Sequence, residues 1–143
     1  PMECPSTVVA EAARPLITFS GATIIPDIPE FYQKYPELLR FIADQQQPWR
    51  ESKTLSGTIG EHIVMARQSA KGTWLVGAAT NGEARELEVK LDFLPPGIYQ
   101  VTVVQDGEDG DYQKNRETLR IEKRKASPAD TLRLKLAPAA ALA

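Results

Sequence analysis

Gly60-Glu61-His62-Ile63-Val64-Met65-Ala66-Arg67-Gln68, Thr73-Trp74-Leu75-Val76-Gly77-Ala78-Ala79-Thr80 and Arg85-Glu86-Leu87-Glu88-Val89-Lys90-Leu91 are three β-type runs separated by two short connections. The connections, Ser69-Ala70-Lys71-Gly72 and Asn81-Gly82, contain the residue types that tolerate positive φ in hairpin turns. They predict an antiparallel meander of the three runs. The middle run is apolar at odd and even positions alike. Successive strand side chains point to opposite faces, so both of its faces need cover, and it is expected to be a central strand with Trp74 in the core.

Working outward, the period stays at two on the C-terminal side. Tyr99, Val101 and Val103 alternate with Gln100 and Thr102, and Leu132, Leu134 and Leu136 alternate with Thr131, Arg133 and Lys135. Leu119 and Ile121 mark another strand between Arg116 and Lys125, and Trp49 to Leu55 an edge strand. On the N-terminal side the period is helical. Val8, Val9, Ala12, Ala13, Leu16 and Ile17 follow Ser6 and Thr7, either of which is a suitable N-cap. Pro15 predicts that this helix stops or kinks near Ala13, with Leu16 to Ile25 as an apolar continuation. Pro26 and Pro29 frame a turn, and Phe31, Leu38, Leu39, Phe41 and Ile42 then indicate one or two short helices, the second opening at Pro36. Gln45-Gln46-Gln47-Pro48 reads as a linker. The fold class expected is mainly β: an antiparallel β-sandwich of about seven to eight strands, residues 48–143, preceded by a short α-helical segment, residues 1–47.

The 143 residues are one domain's worth, too few for a (β/α)₈ barrel of about 250 residues. A net charge of -2, with 42% hydrophobic and 25% charged residues, points to no charged partner class. The single cysteine, Cys4, forms no internal disulfide. No run approaches the roughly 18 apolar residues of a membrane-spanning helix. A start at Pro1, without Met and without a signal-peptide core, suits a fragment of something longer.

His62 is the sole histidine, so no Ser-His-Asp, Cys-His or His-rich metal cluster can be assembled, and it reads as a structural residue. Asp106-Gly107-Glu108-Asp109-Gly110-Asp111 lacks the ligand order of an EF-hand and reads as a solvated hairpin loop. Glu86, Glu88 and Asp92 read as a wet strand face, not as an acid and base pair across a sugar bond. Trp49, Trp74 and Tyr112 are the aromatics that a sugar ring would stack on, and Trp74 is better placed as core. The basic set Arg116, Arg120, Lys123, Arg124, Lys125, Arg133 and Lys135 interleaves with Glu117 and Glu122 and carries no nucleic-acid motif. Neither nucleic acid nor a membrane is an expected partner. The chain therefore offers no catalytic, cofactor-binding or metal-binding residue of its own.

Gly60-Glu61-His62-Ile63-Val64-Met65-Ala66-Arg67, Trp74-Leu75-Val76-Gly77, Leu91-Asp92-Phe93-Leu94, Gly97 and Tyr99 together resemble the C-terminal region of glycoside hydrolase family 97, the α-glucosidase and α-galactosidase family. Ser20-Gly21, Asp27, Pro29, Tyr32, Pro48-Trp49 and Leu55 keep the family's order and spacing. The resemblance implies that residues 1–47 are the end of a catalytic barrel and that 48–143 brace it as an accessory domain. It further implies that catalytic carboxylates and calcium-binding glutamates lie upstream of this chain, and that the location is bacterial, periplasmic or secreted. A self-standing carbohydrate-binding or interaction module is the alternative. Val8, Val9, Leu16, Ile17, Phe19, Ile24 and Ile25 supply more apolar surface than a short broken helix hides by itself, so they are the expected interface, and self-association is the expected outcome.

Overall fold

Three helices precede seven strands in the computed structural model, which describes residues 6–20, 22–24, 29–108 and 114–138. The helices are α1 (Val8–Ile17), α2 (Pro29–Lys34) and α3 (Pro36–Ala43). The strands are β1 (Glu51–Thr58), β2 (His62–Gln68), β3 (Trp74–Thr80), β4 (Arg85–Lys90), β5 (Tyr99–Asp106), β6 (Leu119–Ala126) and β7 (Thr131–Leu136). Cys4, Ile25, the turn at Pro26, Asp109 to Asp111, Tyr112 and the alanine-rich end after Pro138 lie outside the described residues. Two compact units are formed, Val9–Ala79 and the remainder of the described chain.

In the first unit β1, β2 and β3 form a three-stranded sheet in that order. The β2–β3 connection closes as expected: Gly72 takes φ 91°, Gly72 N–H donates to Ser69 O at 2.9 Å and Ser69 N–H to Thr73 O at 2.8 Å. The central strand is β2, not β3. β1 pairs with it antiparallel from Glu51↔Gln68 to Thr58↔His62, with an irregularity between Thr54 and Ser56. On β3 the buried positions are Leu75, Gly77 and Thr80, while Trp74 is only half-buried. The reason is a close approach: a Cβ built on Gly77 would stand 3.0 Å from Leu16 Cβ and 3.2 Å from Ala13 O, so α1 lies directly on that face.

α1 does not end at Ala13. It continues through Pro15 to Ile17, and Thr18 N–H still donates to Arg14 O at 2.9 Å. Proline inside a helix costs about 3 kcal/mol. Ala12, Ala13 and Leu16 are all buried, and burying a leucine side chain alone stabilises by about 1.5–3 kcal/mol, so packing outweighs the local penalty. The glutamine stretch is no free linker either. Gln45 Nε2 donates to Ala12 O at 2.9 Å, and Ala70 N–H donates to Gln46 O at 2.8 Å. The second helix of the pair opens with Pro36 in its first turn, where the missing N–H has no intrahelical partner to lose.

In the second unit β4 pairs with β7, and β5 with β6, both antiparallel. The expected hairpin between β3 and β4 is absent. Asn81 Oδ1 accepts the Glu83 N–H at 3.1 Å and Thr80 Oγ1 donates to Glu83 O at 3.1 Å, a side-chain turn in which Gly82 needs no positive φ. β4 instead matches β7, with Leu87 opposite Leu134 and Val89 opposite Leu132. Glu88 meets Arg133 at 3.3 Å and Glu86 meets Lys135 at 3.7 Å on the outer face. Val89, Leu91, Leu94, Val103, Ala126 and Leu132 are the buried apolar residues of this unit.

Candidate functional site

The sequence-predicted interface residues do not share one environment. Val8, Val9 and Ile17 are half-buried, and Leu16 is 0% exposed, packed on Gly77 and withdrawn from any outer surface. Phe19, at 75% exposure, and Ile24, at 89%, stand out into solvent. Among the described residues behind α1, apolar exposure is therefore concentrated in these two.

Beneath Phe19 lies a residue that the strand pattern left unremarked. Arg67, on the central strand β2, is 2% exposed. Its Nε donates to Leu16 O at 2.5 Å, one of the last carbonyls of α1 that the helix itself cannot satisfy, and its Nη1 donates to Ser52 Oγ at 2.6 Å. The Phe19 ring stands 5.3 Å and the Trp49 ring 5.9 Å from the guanidinium carbon. None of its partners among the described residues is a carboxylate. A buried ion costs several kcal/mol. Charge-assisted hydrogen bonds of about 1.5–3 kcal/mol each and cation–π contacts of about 0.5–2 kcal/mol each offset that cost. Burial pushes the Arg67 pKa down from its ordinary value, yet a guanidinium stays protonated at any pH at which proteins fold. The signal in the sequence was its phase: Arg67 falls on the same strand face as Ile63 and Met65, in register with apolar residues.

The other candidates are structural. His62 Nε2 and Ser56 Oγ are 3.0 Å apart across the β1–β2 pair. Trp74 has Lys53 Nζ 5.6 Å from its ring. Glu86 and Glu88 belong to the ion pairs described, and Asp92 is exposed. The basic set is spread over β6, β7 and, for Arg116, the turn before β6, with Arg124 3.7 Å from Glu122. The described part of the acidic loop is closed at its base by Gly107 N–H donating to Thr118 O at 3.0 Å. Among the described residues no three His, Cys, Asp or Glu side chains are grouped to hold a metal ion, and no helix is long and apolar enough to cross a membrane.

Two carboxylates are perturbed by their surroundings. Asp106 is largely buried, which raises its pKa, and the Thr7 side chain and the Ala137 N–H, 3.1 Å from Oδ2, only partly counteract this. The folded-state value lies above the unfolded one, so the neutral carboxyl is the form the fold favours. That stabilisation is fully present below the unfolded value and is lost as pH rises through the folded one. Exposed Asp130, held by Ser127 N–H and Oγ, is shifted the opposite way, so its contribution is lost only in more acid solution. Thermal melts at pH 7 and at about pH 4, the ordinary aspartate range, should accordingly show the parent gaining stability on acidification relative to Asp106→Asn. Equal slopes for the two proteins would remove Asp106 as the cause.

Comparison with known proteins places this geometry. Residues 48–143 match the family described as glycosyl-hydrolase 97 C-terminal, oligomerisation. The chain belongs to that family. It is 39% identical over 88 residues to a retaining α-galactosidase of Bacteroides thetaiotaomicron, covering 62% of this chain and 13% of that protein. A probable retaining α-galactosidase of Streptomyces bingchenggensis is 35% identical over 91 residues, covering 64% and 14%. Among solved structures, a glycoside hydrolase family 97 enzyme of Pseudoalteromonas sp. strain K8, in complex with acarbose, superposes with a TM-score of 0.86 at 33% identity, over 94% of this chain and 21% of that one. The family 97 C-terminal domain is thus confirmed, and with it the expected class, an antiparallel β-sandwich preceded by a short helical segment. It is a non-catalytic accessory portion, a small share of the relatives' length, and its family description supports self-association.

Proposed function

We propose that this domain serves a family 97 α-glycosidase by bracing a catalytic barrel of the same polypeptide, with residues 1–47 as the end of that barrel and 48–143 as the accessory domain. The substrates would be α-galactosides or α-glucosides, handled by residues upstream, where any calcium would also bind. The observation that carries the docking role is the outward projection of Phe19 and Ile24 immediately behind the buried turn of α1. Large exposed apolar residues in one short stretch are usually covered by a partner. The relatives' much greater length supports a partner within the same polypeptide. A self-standing sugar-binding module is less favoured, because cations stand over the Trp49 and Trp74 rings.

On this reading the 143-residue chain alone, with the stretch uncovered, associates with its own copies through it. Light scattering should find oligomers and a hydrophobic dye should bind. Replacing Phe19 and Ile24 together by serine should weaken association at least about tenfold, since each buried side chain of this size is worth roughly 1.5–3 kcal/mol. A monodisperse monomer that binds no dye would show that the stretch is not a docking surface.

A further inference from the structure

Among the described residues, the stretch that carries Phe19 and Ile24 makes only local hydrogen bonds of its own. Thr18 N–H donates to Arg14 O at 2.9 Å, Ser20 Oγ donates to Ala22 O at 2.6 Å, and Ala22 N–H donates to Ser20 Oγ at 3.2 Å. Among the described residues, the one ring or polar contact reaching from residues 18–20 and 22–24 to the sheet is Phe19 over the Arg67 guanidinium, 5.3 Å away. Arg67 is itself fixed from behind by Ser52 on β1, by the Trp49 ring and by the Leu16 carbonyl.

The geometry points to Arg67 as a positioning residue that holds the stretch after α1 against the sheet, so that the surface offered to the catalytic portion is formed before docking. This rests on the docking reading above and names the residue that prepares the surface. A segment already ordered loses less conformational freedom on binding, and affinity rises accordingly. The guanidinium suits the task because its plane stacks on aromatic rings while its edge gives directed hydrogen bonds. A lysine ammonium offers a compact charge and no such plane.

Chymotrypsin reads the tether directly, because it cleaves after Phe19 only when the ring leaves the guanidinium. At a dilution where the chain is monomeric, Arg67→Lys should raise the initial rate of cleavage after Phe19 about 5-fold, the equivalent of one cation–π contact. Cleavage at other sites should stay unchanged, and at higher concentration self-association should weaken. An unchanged rate at Phe19 overturns the inference. A raised rate with unaltered association leaves Arg67 as the tether and removes the docking reading instead. Should Arg67→Lys melt well below the parent, Ser52→Ala decides. It keeps the charge and removes one acceptor, and it should raise cleavage after Phe19 by a smaller factor, whereas no rise overturns the inference equally.

Discussion

Leu16→Ala should lower the stability of the domain by roughly 2–5 kcal/mol, the range for truncating a fully buried leucine. Leu16 has no exposed surface and packs against Gly77 of β3. Truncation removes the transfer energy of the lost carbons and leaves a cavity that two regular elements cannot readily collapse to fill. It also weakens the packing that sustains α1 through Pro15, so the last turn, with its Leu16 carbonyl bound to Arg67, loses support. Urea denaturation followed by circular dichroism measures the effect. A loss below about 1 kcal/mol would mean that the α1 contact is peripheral to the fold, since domains of this size are held by only about 5–15 kcal/mol.

Gly77→Val approaches the same contact from the other side and should cost at least the upper end of the roughly 1–3 kcal/mol typical of overpacking. Gly77 is not among the glycines with positive φ, so its backbone accommodates valine, and the penalty is steric. Even a lone Cβ would meet Leu16 Cβ at 3.0 Å and Ala13 O at 3.2 Å. Leu16 Cβ is fixed to the helix backbone and Ala13 O belongs to it, so a rotamer change relieves neither contact. The Leu16→Ala background keeps Leu16 Cβ but removes the Cδ1 that lies 3.5 Å from the same point, so the methyls of valine gain room there and the substitution should be milder by about 1 kcal/mol, a coupling within the range found for touching residues. Strict additivity in that double-mutant cycle would show that α1 and β3 do not meet as described.

Much of the element inventory was legible because it rests on local chemistry. The two-residue alternation of β4, β5 and β7 marks one wet face each, Gly72 supplies the positive φ of its turn, and Pro36 opens α3. What alternation leaves open is the pairing. β3 and β4 are adjacent in sequence, yet β4 joins β7, because Glu86 and Glu88 find Lys135 and Arg133 there and Leu87 and Val89 find leucines. A pattern read along one strand is the same whichever neighbour it acquires.

The candidate site divides in the same way. Phe19 and Ile24 were recognisable as apolar surface from composition, but their separation from Leu16 was not, because the helical pattern puts all of them in one run. Likewise the sequence alone determined the family and the strand periods, which follow from residue types and short spacings. Only the tertiary structure decided that α1 passes through Pro15, that β2 is central and that Arg67 is buried beneath Phe19. The first and last of these set a local cost, a broken helical hydrogen bond or a desolvated charge, against contacts between residues up to 51 positions apart. No local pattern carries that balance, because the compensating contacts exist only once the chain has folded.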